Sequence, residues 1–596
     1  MSAATTPLET KIEASLAEPT LCHAFLRMAG ANSDQVALRG FGSERTLTFA
    51  GWREHARRVA GGLADLGIGQ GDRVGLLLGT RMEFHIVDMG ALLLGAVPYS
   101  MYTTSPVAQL APCVDNSAPR VLITEAPLAD KARDLQLACP VIEHIVVIDG
   151  ARPEELDLAS LEHLCPESFD VEATAARVTG EDLCSLVYTS GTTGAPKGVP
   201  YLHRCVMHTM RSIHAHVPVS PSGRLISYLP MAHIAERVFG HYAGFVFGCQ
   251  ITSLGDPAEL GKALREVRPT RFFGVPRIWE KLLAGIHRAL GEAIEPDRAV
   301  TIRAAWDRAI ARVEAEQARE PADQASDDDA EALAGLPGMV GLDAAEWLGV
   351  AGAPAGRDTL LALHALGLTV NELYGMSETI LVSTSPPGRV KIGTCGVPLP
   401  GVEVRLAEDG EILVGGATVM PGYFQDPERT AEALTDGWMH TGDIGVIDDQ
   451  GYLTITDRKK ALIINSAGKN MSPSAIEQAI GGGVPLVAQV VAVGDRRPYN
   501  VALIVLDRDG LEAFRAEAGI AESEFGELAR HPQVLAAVER AVQAGNEKLA
   551  RVEQIKRWTV LDHDWLPASE QLTPTAKLKR KAILGLYADV IEELYA

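Results

Sequence analysis

The chain has 596 residues, of which 47% are hydrophobic and 22% charged, and its formal net charge is −23. This length exceeds one ordinary domain, so we expect at least two hydrophobic cores. The negative charge argues against a nucleic-acid partner, because no broad surface is available to neutralise phosphates. It also disfavours simple electrostatic docking on an anionic membrane, although peripheral contact through a local patch is left open.

The eight cysteines are scattered along the chain and form no CxxC pair. Such spacing is typical of a reduced, cytoplasmic protein rather than of a disulfide frame or a zinc site. The first 18 residues carry Glu9, Glu13 and Glu18 and lack the apolar core of a secretory signal. The longest apolar run near the start, residues 89–97, is too short for a transmembrane segment. We therefore expect a cytoplasmic protein.

Strand-like and helix-like patterns alternate in the first part of the chain. Residues 73–78 and 120–124 are predicted strands, and residues 83–94 are a predicted helix. This alternation is typical of βαβ units and a mainly parallel sheet. Residues 303–317 have helical spacing and lead into the acidic segment 318–330, which we expect to be a mobile surface insertion.

The pattern changes after residue 452. Strand-like residues 453–456 are followed by the charge cluster 457–460, and the sequence then becomes apolar again. Four charges between two apolar segments suit an exposed connector between domains. Beyond the connector, apolar runs at residues 487–493 and 501–506 alternate with helical patterns, which predicts a small α+β domain.

A segment rich in glycine and threonine directly follows the apolar run 183–187. Its glycines allow backbone N–H groups to turn inward, its hydroxyls are further donors, and its lysine adds a positive charge. These residues are Thr189, Ser190, Gly191, Thr192, Thr193, Gly194, Lys197 and Gly198. The spacing is not the Walker pattern, since no Ser or Thr follows the lysine. We interpret the segment as a polyphosphate loop, with a flexible surface turn as the alternative.

Further strings follow the loop in a fixed order. They are YLPMAHIAER at 228–237, VPRIWE at 275–280, GAP at 352–354, YGMSET at 374–379, WMHTGD at 438–443, DRKK at 457–460, GKNMSP at 468–473 and LTPTAKLKR at 572–580. Together with the loop, these strings resemble the acyl-adenylate-forming (AMP-binding) superfamily. The resemblance covers roughly residues 46–581 and is closest to the long-chain and bubblegum-type fatty acyl-CoA synthetases of bacteria.

The resemblance implies ATP, Mg²⁺ and coenzyme A as cofactors, and it implies catalytic roles for Lys577, Glu378, His233 and Thr192. Glu378 would hold Mg²⁺, for which a hard oxygen ligand is appropriate. His233 would lie near the acyl carboxylate, and Lys577 would bridge that carboxylate and the α-phosphate. Taken alone, each of these residues has a plainer interpretation, such as a core histidine, a solvated carboxylate or a basic helix start.

The resemblance also implies a set of nucleotide contacts. Besides the phosphate loop, it assigns them to Gly352, Ala353, Pro354, Tyr374, Gly375, Ser377, Asp443, Arg458 and Lys469. Asp443 would accept two hydrogen bonds from the ribose diol, as an ionised carboxylate can. Lys469 belongs to the loop that would enter the site for thioester formation.

We therefore predict an α/β fold with a large N-terminal domain of parallel-rich sheets and flanking helices, and a small, mobile α+β C-terminal domain. The resemblance places the N-terminal adenylation domain at residues 1–457, a hinge at 458–460 and the C-terminal domain with the catalytic lysine at 461–596. The small domain would rotate about Lys460 between the two half-reactions.

The predicted function is ATP-dependent, AMP-forming ligation of a medium- or long-chain fatty acid to coenzyme A through an acyl-adenylate. One alternative is an acyl-AMP ligase that loads a carrier protein. Another is a coenzyme A ligase for a steroid-chain or aryl acid, and a third is a nucleotide-binding regulator without catalysis. The chain is expected to act as a monomer or a homodimer.

Overall fold

The computed structural model describes residues 7–153, 155–189, 196–220, 222–292, 294–321, 324–464 and 469–596. Its elements form an N-terminal lobe, from the helix Pro7–Leu16 to the strand Leu453–Arg458, and a C-terminal lobe, from the strand Ile463–Ile464 to the helix Ala588–Tyr595. Among the described residues, no helix combines the length and the apolar character needed to cross a membrane.

The largest sheet of the N-terminal lobe has seven strands. In spatial order they are Leu156–Asp157, His144–Val147, Val121–Thr124, Arg73–Leu77, Val97–Ser100, Leu183–Thr189 and Lys197–Leu202. Neighbouring strands are parallel except for the last pair, which is antiparallel. The predicted strands at 73–78 and 120–124 are confirmed, because continuous apolar runs mark strands that are covered on both faces.

Four smaller sheets complete this lobe. Two are mainly parallel and contain Arg224–Ser227, Gln250–Ser253, Val36–Gly40 and Thr46–Thr48 in one, and Arg271–Gly274, Trp347–Val350 and Val370–Glu372 in the other. Two are antiparallel and contain Tyr374–Met376, Ile380–Thr384 and Val397–Pro398 in one, and Val402–Leu406, Glu411–Gly416, Trp438–Ile447, Leu434–Thr435 and Leu453–Arg458 in the other.

Helices connect these strands and pack on them. In the N-terminal lobe they are Pro7–Leu16, Leu21–Ala31, Phe49–Asp65, Met82–Leu93, Val107–Ser117, Ala129–Ala138, Leu158–His163, Val171–Ala175, His203–His216, Ile234–Glu236, Arg237–Tyr242, Ala243–Val246, Leu260–Val267, Pro276–Glu292, Pro296–Ala318, Asp327–Leu333, Leu336–Met339, Arg357–Ala365 and Pro427–Ala433, with short 3₁₀ turns at Ala126–Leu128 and Pro257–Glu259. The predicted helix at 83–94 is confirmed as Met82–Leu93.

The C-terminal lobe has a three-stranded sheet with its own hydrophobic cluster. Its strands are Val487–Val493, Asn500–Leu506 and Ile555–Val560, beside a small hairpin of Ile463–Ile464 and Asn470–Met471. Its helices are Pro473–Gly481, Arg508–Ala518, Phe525–Leu528, Pro532–Glu547, Arg580–Leu586 and Ala588–Tyr595. The predicted fold class, a large α/β part followed by a small α+β part, is confirmed.

A buried charge network anchors the helical segment that follows His233. Asp88 lies on the helix Met82–Leu93, whose residues are all buried. Its carboxylate pairs with Arg237 at 2.8 Å and with His241 at 3.0 Å, and all three side chains are fully buried. Because an unpaired buried charge costs several kcal/mol, this network holds the segment 234–246 firmly against the core. The middle of that segment, Arg237–Tyr242, is a π-helical turn, a feature that is frequent at functional sites.

The acidic segment is more closely attached to the lobe than its composition indicated. Asp329, in the helix Asp327–Leu333, is buried and pairs with Arg308 and Arg312 of the helix Pro296–Ala318. Acidic composition alone could not reveal this contact, because the partner arginines lie in a different helix. The expectation of a mobile insertion is therefore wrong for the part of the segment around Asp329.

Polar contacts join the two lobes. Arg277 and Lys281, on the helix Pro276–Glu292, pair with Asp507 and Asp509 of the C-terminal lobe, each at 2.8 Å. A third pair joins Asp358 and Lys548 at 2.9 Å. These side chains are partly or largely exposed, so each pair is expected to contribute at most about 1 kcal/mol.

Candidate active site

Asp443 has two polar partners in the candidate site. It lies on the strand Trp438–Ile447 opposite Arg458, and its side chain is only 9% exposed. The Tyr374 hydroxyl donates to Asp443 Oδ2 at 2.8 Å, and Arg458 Nε lies 3.3 Å from Oδ1. Burial raises the pKa of Asp443, while the Arg458 charge and the Tyr374 hydrogen bond oppose the rise. The carboxyl is thus held in one orientation by two partners from distant parts of the chain.

Glu378 is buried beside the end of the phosphate loop. The Tyr423 hydroxyl donates to Glu378 Oε1 at 2.9 Å, and Lys197 Nζ lies 4.5 Å above the centre of the Tyr423 ring. The backbone carbonyl of Ser377 accepts a hydrogen bond from the Tyr201 hydroxyl at 2.6 Å. Tyr423 therefore connects the predicted loop lysine to the predicted metal carboxylate.

Tyr423 was not predicted from the sequence. It lies in the segment GYFQD, whose local pattern indicates only a turn, and Gly422 before it has a φ of +144°. The neighbouring Phe424 N–H donates to the carbonyl of Gly198 at 2.8 Å, which joins this turn to the strand after the phosphate loop. The bulk of an aromatic residue between two glycine- and proline-rich turns is the only signal that could have drawn attention to it.

The phosphate loop is described only at its two ends. Thr189 and Lys197 pair directly across the antiparallel hairpin of the strands Leu183–Thr189 and Lys197–Leu202. The predicted loop residues between them lie outside the described residues, and they are Ser190, Gly191, Thr192, Thr193 and Gly194. The ends alone establish that the loop starts and finishes at adjacent strand positions.

The residues predicted to contact adenine lie at the carboxyl ends of parallel strands. Gly352, Ala353 and Pro354 follow the strand Trp347–Val350 and are exposed, and Gly352 has a φ of +93°. Tyr374 begins the strand Tyr374–Met376, just after the parallel strand Val370–Glu372, and is buried. A Cβ at Gly375 would lie 2.1 Å from the Ile380 carbonyl oxygen. Ligands bind at this edge of open α/β sheets.

His233 caps the helical segment that follows it, and this contact determines its tautomer. The Ala235 N–H donates to His233 Nδ1 at 3.1 Å, so Nδ1 carries no proton. Burial, together with the positive charge of Lys577, lowers the pKa of His233 to about 4. At neutral pH the ring is therefore neutral and presents an N–H donor at Nε2.

Lys577 brings the C-terminal lobe to this cluster. Thr573 and Lys577 close a tight turn: the Thr573 N–H donates to the Lys577 carbonyl at 2.9 Å, and the Lys577 N–H donates to Thr573 Oγ1 at 3.0 Å. The lysine side chain stays accessible to solvent although protein surrounds it, so it lies in an open cleft.

The electrostatic partners of Lys577 identify what that cleft contains. Desolvation by the surrounding protein and then the Arg458 charge lower the pKa of Lys577, while Asp443 and Glu378 act in the opposite direction. Lys469 lies just before the strand Asn470–Met471 and has an exposed side chain. The structure thus brings together the predicted residues His233, Glu378, Asp443, Arg458 and Lys577.

A magnesium ion fits the carboxylate at Glu378. Within the described ranges there is no cluster of three or more His, Cys, Asp or Glu residues that could hold a metal ion on its own. Mg²⁺ does not need such a cluster, because it commonly binds through one or two carboxylates together with substrate phosphates and water. Glu378 is a single buried carboxylate next to the loop lysine, which is the donor set expected for a metal that arrives with a nucleotide.

Comparison with known proteins identifies the family of the chain. The AMP-binding enzyme family matches residues 25–424, and the AMP-binding enzyme C-terminal domain matches residues 460–596. The chain therefore belongs to the AMP-binding enzyme family, and the predicted membership is confirmed. The first match contains His233, Glu378 and Tyr423, and the second contains Lys577. Asp443 and Arg458 lie between the two matches, in the segment 425–459.

Two curated relatives are mycobacterial. The chain is 43% identical over 437 residues to the putative fatty-acid–CoA ligase fadD11 of Mycobacterium tuberculosis, which covers 72% of this chain and 76% of the relative. It is 33% identical over 563 residues to the long-chain-fatty-acid–CoA ligase FadD15 of Mycobacterium bovis, with 92% of both chains covered. Among solved structures, the anthranilate CoA ligase AuaEII superposes with a TM-score of 0.74 at 20% identity, covering 96% of this chain and 98% of that one, which supports the fold.

Proposed function

We propose that this chain is an AMP-forming acid–thiol ligase that joins a medium- or long-chain fatty acid to coenzyme A at the expense of ATP. The observation that carries the proposal is that Lys577 of the C-terminal lobe lies near enough to Asp443 and Glu378 of the N-terminal lobe for their charges to act on its pKa. The mycobacterial relatives named as fatty-acid–CoA ligases support the choice of acid and acceptor.

In the first half-reaction, an oxygen of the fatty acid carboxylate attacks the α-phosphorus of ATP, and the bond to pyrophosphate breaks. Two anions must approach each other, so the rate depends on positive charge placed where negative charge develops. Lys577 supplies that charge from the cleft and orients the carboxylate by hydrogen bonding. A Mg²⁺ ion at Glu378 would neutralise phosphate charge when it is bound. The neutral His233 donates from Nε2 towards the carboxylate, which assists its orientation without adding a second titrating group.

Asp443 orients the nucleotide during this step. Its carboxylate is already bonded to Tyr374 and Arg458, so the remaining lone pairs are aimed in a fixed direction towards the ribose diol. Gly352, Ala353 and Pro354 offer exposed backbone to the adenine ring, and Thr189, Ser377 and Lys197 flank the phosphates. Gly375 lets the backbone at Ile380 pack closely against the Tyr374 turn, since any side chain there would strike the Ile380 carbonyl.

In the second half-reaction, the thiol sulfur of coenzyme A attacks the acyl carbonyl, the bond to AMP breaks, and the thiol proton is lost. We propose that residues 1–457 form the adenylation domain, that 458–460 form a hinge, and that 461–596 rotate as the C-terminal domain. Rotation would withdraw Lys577 and bring Lys469 to the site for thioester formation. Closing the site in either state shields the reactive anhydride from water.

The substrates and the thiols of the chain favour a cytoplasmic location. ATP and coenzyme A are intracellular metabolites, and all eight cysteines are free. Free thiols are the normal state in a reducing compartment.

The direct test is mass spectrometry of the products formed by purified protein with MgATP, coenzyme A and a mixture of fatty, aryl and steroid-chain acids. We expect acyl-CoA of medium or long chain length together with an equal amount of AMP. Acyl-adenylate or AMP without acyl-CoA would instead indicate a carrier protein as acceptor. If the protein binds ATP in calorimetry but converts no acid, the chain is a nucleotide-binding regulator and the proposal is wrong.

A further inference from the structure

Asp457 joins the two lobes next to the candidate active site. It is 5% exposed and lies on the strand Leu453–Arg458, where it is paired with Ile444. Its neighbour Arg458 contacts Asp443. Because successive side chains of a strand point to opposite faces, Asp457 is directed away from that contact, towards the C-terminal lobe. The end of this strand therefore carries a candidate-site residue on one face and a contact between the lobes on the other.

The carboxylate of Asp457 binds the N-terminus of a helix in the C-terminal lobe. Ser472, the N-cap residue of the helix Pro473–Gly481, donates its hydroxyl hydrogen to Asp457 Oδ2. The Ser474 N–H donates to the same oxygen at 3.1 Å, and the Ser474 hydroxyl donates to Oδ1 at 3.2 Å. The positive end of the helix dipole also favours a carboxylate here. Hydrogen bonds to a buried, charged acceptor are stronger than the exposed ion pairs that join the lobes elsewhere.

The same helix also contacts the segment that carries Lys577. Glu477 lies one turn along the helix from its N-terminus and forms an ion pair with Arg580. Arg580 is three residues after Lys577 and begins the helix Arg580–Leu586. Burial raises the pKa of Glu477, the Arg580 charge opposes the rise, and the Asp457 charge adds to it. A continuous set of contacts thus runs from Asp457, through one helix, to the segment that presents the lysine.

These contacts cross the proposed hinge. Asp457 precedes the hinge residues 458–460, whereas the two serines, Glu477 and Arg580 all follow them. In the proposed rotation the serines would move with the C-terminal domain while Asp457 stays with the N-terminal domain, so their hydrogen bonds would break. The bonds therefore belong to the arrangement in which Lys577 lies near the candidate site.

We propose that Asp457 is a positioning residue for the adenylation step. Its carboxylate holds the helix Pro473–Gly481 against the N-terminal lobe, and the pair of Glu477 and Arg580 fixes Lys577 relative to that helix. The proposal rests on the proposed function and on the domain rotation proposed with it. Asp457 acts through Lys577 and contacts neither substrate. Its bonds must break before thioester formation, so their loss should not slow that second step.

The test compares the two half-reactions in wild type, D457A, D457N and S474A. Pyrophosphate release measures adenylation, and acyl-CoA formed from synthetic acyl-AMP measures thioester formation. In D457A we expect kcat for adenylation to fall about tenfold or more, since displacing a catalytic group by about an ångström can cost up to about a hundredfold. KM for ATP and for the acid should stay close to wild type, and thioester formation should be as fast as in wild type or faster. D457N, which keeps the shape of the side chain, and S474A, which removes one hydrogen bond, should show the same split to a smaller extent.

A second comparison tests the path through Glu477. E477Q should slow adenylation and spare thioester formation. Because Asp457 and Glu477 act in series on one lysine, D457A/E477Q should lose no more adenylation activity than the more impaired single variant. Independent effects would instead multiply, because residues that do not interact contribute additively to the free energy. A double variant whose loss equals the product of the two single losses overturns the inference.

The matched control is D170N, because Asp170 caps the helix Val171–Ala175 within the N-terminal lobe. It should leave the ratio of the two half-reaction rates unchanged. An equal loss of both half-reactions in D457A, together with a lower melting temperature, assigns Asp457 a structural role and overturns the inference. An unchanged adenylation rate in D457A overturns it as well. If D457A does not fold, D457N and S474A decide between the same outcomes.

The wild-type protein separates this inference from the proposed function. Acyl-CoA formation by wild type upholds the ligase whatever the Asp457 variants show, so a missing split between the half-reactions overturns the positioning role alone. If wild type converts no acid, the proposed function fails and the inference fails with it.

Discussion

The two lobes contribute to the site in different ways. The N-terminal part is preorganised: Asp443 and Glu378 are buried and each accepts a hydrogen bond from a tyrosine. The C-terminal part, Lys577, is accessible to solvent on a tight turn, and exposed ion pairs help to hold its lobe in place. Under the proposed function, the difference means that the groups for nucleotide binding would be preorganised in the N-terminal lobe, whereas the cation for acid activation would come from the C-terminal lobe.

Removing the Lys577 ammonium group should produce the largest effect on the rate of adenylation. In K577A we expect the rate of acyl-adenylate formation to fall about a hundredfold or more, because a charge aimed at the developing negative charge is lost. Thioester formation from preformed acyl-AMP should be largely retained, since the proposed rotation would withdraw Lys577 for that step. Pyrophosphate release measures the first half-reaction, and acyl-CoA formed from synthetic acyl-AMP measures the second.

The K579A variant is the control for K577A, because Lys579 lies two residues away and donates to the carbonyl of Ser569 within its own lobe. It should leave both half-reactions near the wild-type rates. Equal loss of both half-reactions in K577A would contradict a role confined to adenylation.

The pH dependence of the stability of the N-terminal lobe can be tested through Glu236. This residue is 3% exposed, and its carboxyl accepts a hydrogen bond from the Leu229 N–H at 3.2 Å. Burial raises the pKa of Glu236 from 4.5 to about 7. Between pH 4.5 and pH 7, the Glu236 carboxyl is deprotonated in the unfolded chain but keeps its proton in the folded chain. Its contribution to the free energy of unfolding is therefore fully present below pH 4.5 and decreases progressively up to pH 7. The change amounts to roughly 3 kcal/mol.

In E236Q this pH dependence should disappear, because glutamine has no proton to lose. Melting temperatures of E236Q and wild type are compared from pH 4.5 to 8, and we expect the variant to gain stability relative to wild type as the pH rises. E331Q, at an exposed glutamate of the helix Asp327–Leu333, should show no such trend. A constant difference between E236Q and wild type across this range would refute a raised pKa for Glu236.

Breaking an exposed ion pair between the lobes should give the smallest effect on the adenylation rate. K281E removes the exposed pair with Asp509, so we expect the adenylation rate to fall by at most about fivefold at low ionic strength. The charge swap K281E/D509K should restore the rate, and high salt should abolish the difference because it screens exposed charges. R530E disrupts the pair with Asp562 inside the C-terminal lobe and should not change the rate. No rescue by the swap would show that this pair does not hold the adenylating arrangement.

The local patterns of the chain were sufficient for much of the fold. The strands at 73–78 and 120–124 and the helix at 83–94 were predictable, because apolar runs and helical spacing reflect burial of the residues themselves. The environment of Asp329 was not, because its arginine partners lie in another helix. A run of charged residues is solvated in most proteins. In this chain, only the tertiary contact with the two arginines buries Asp329.

The sequence by itself determined which groups are candidates for the site: the predicted phosphate loop, the carboxylates Glu378 and Asp443, and the lysine at 577, each within a distinctive motif. Only the tertiary structure decided that Tyr423 links Lys197 to Glu378 and that His233 presents Nε2. The reason is physical. A string records which groups a catalyst needs, whereas hydrogen-bond partners, tautomers and cavity walls arise from packing between segments that are far apart in the chain.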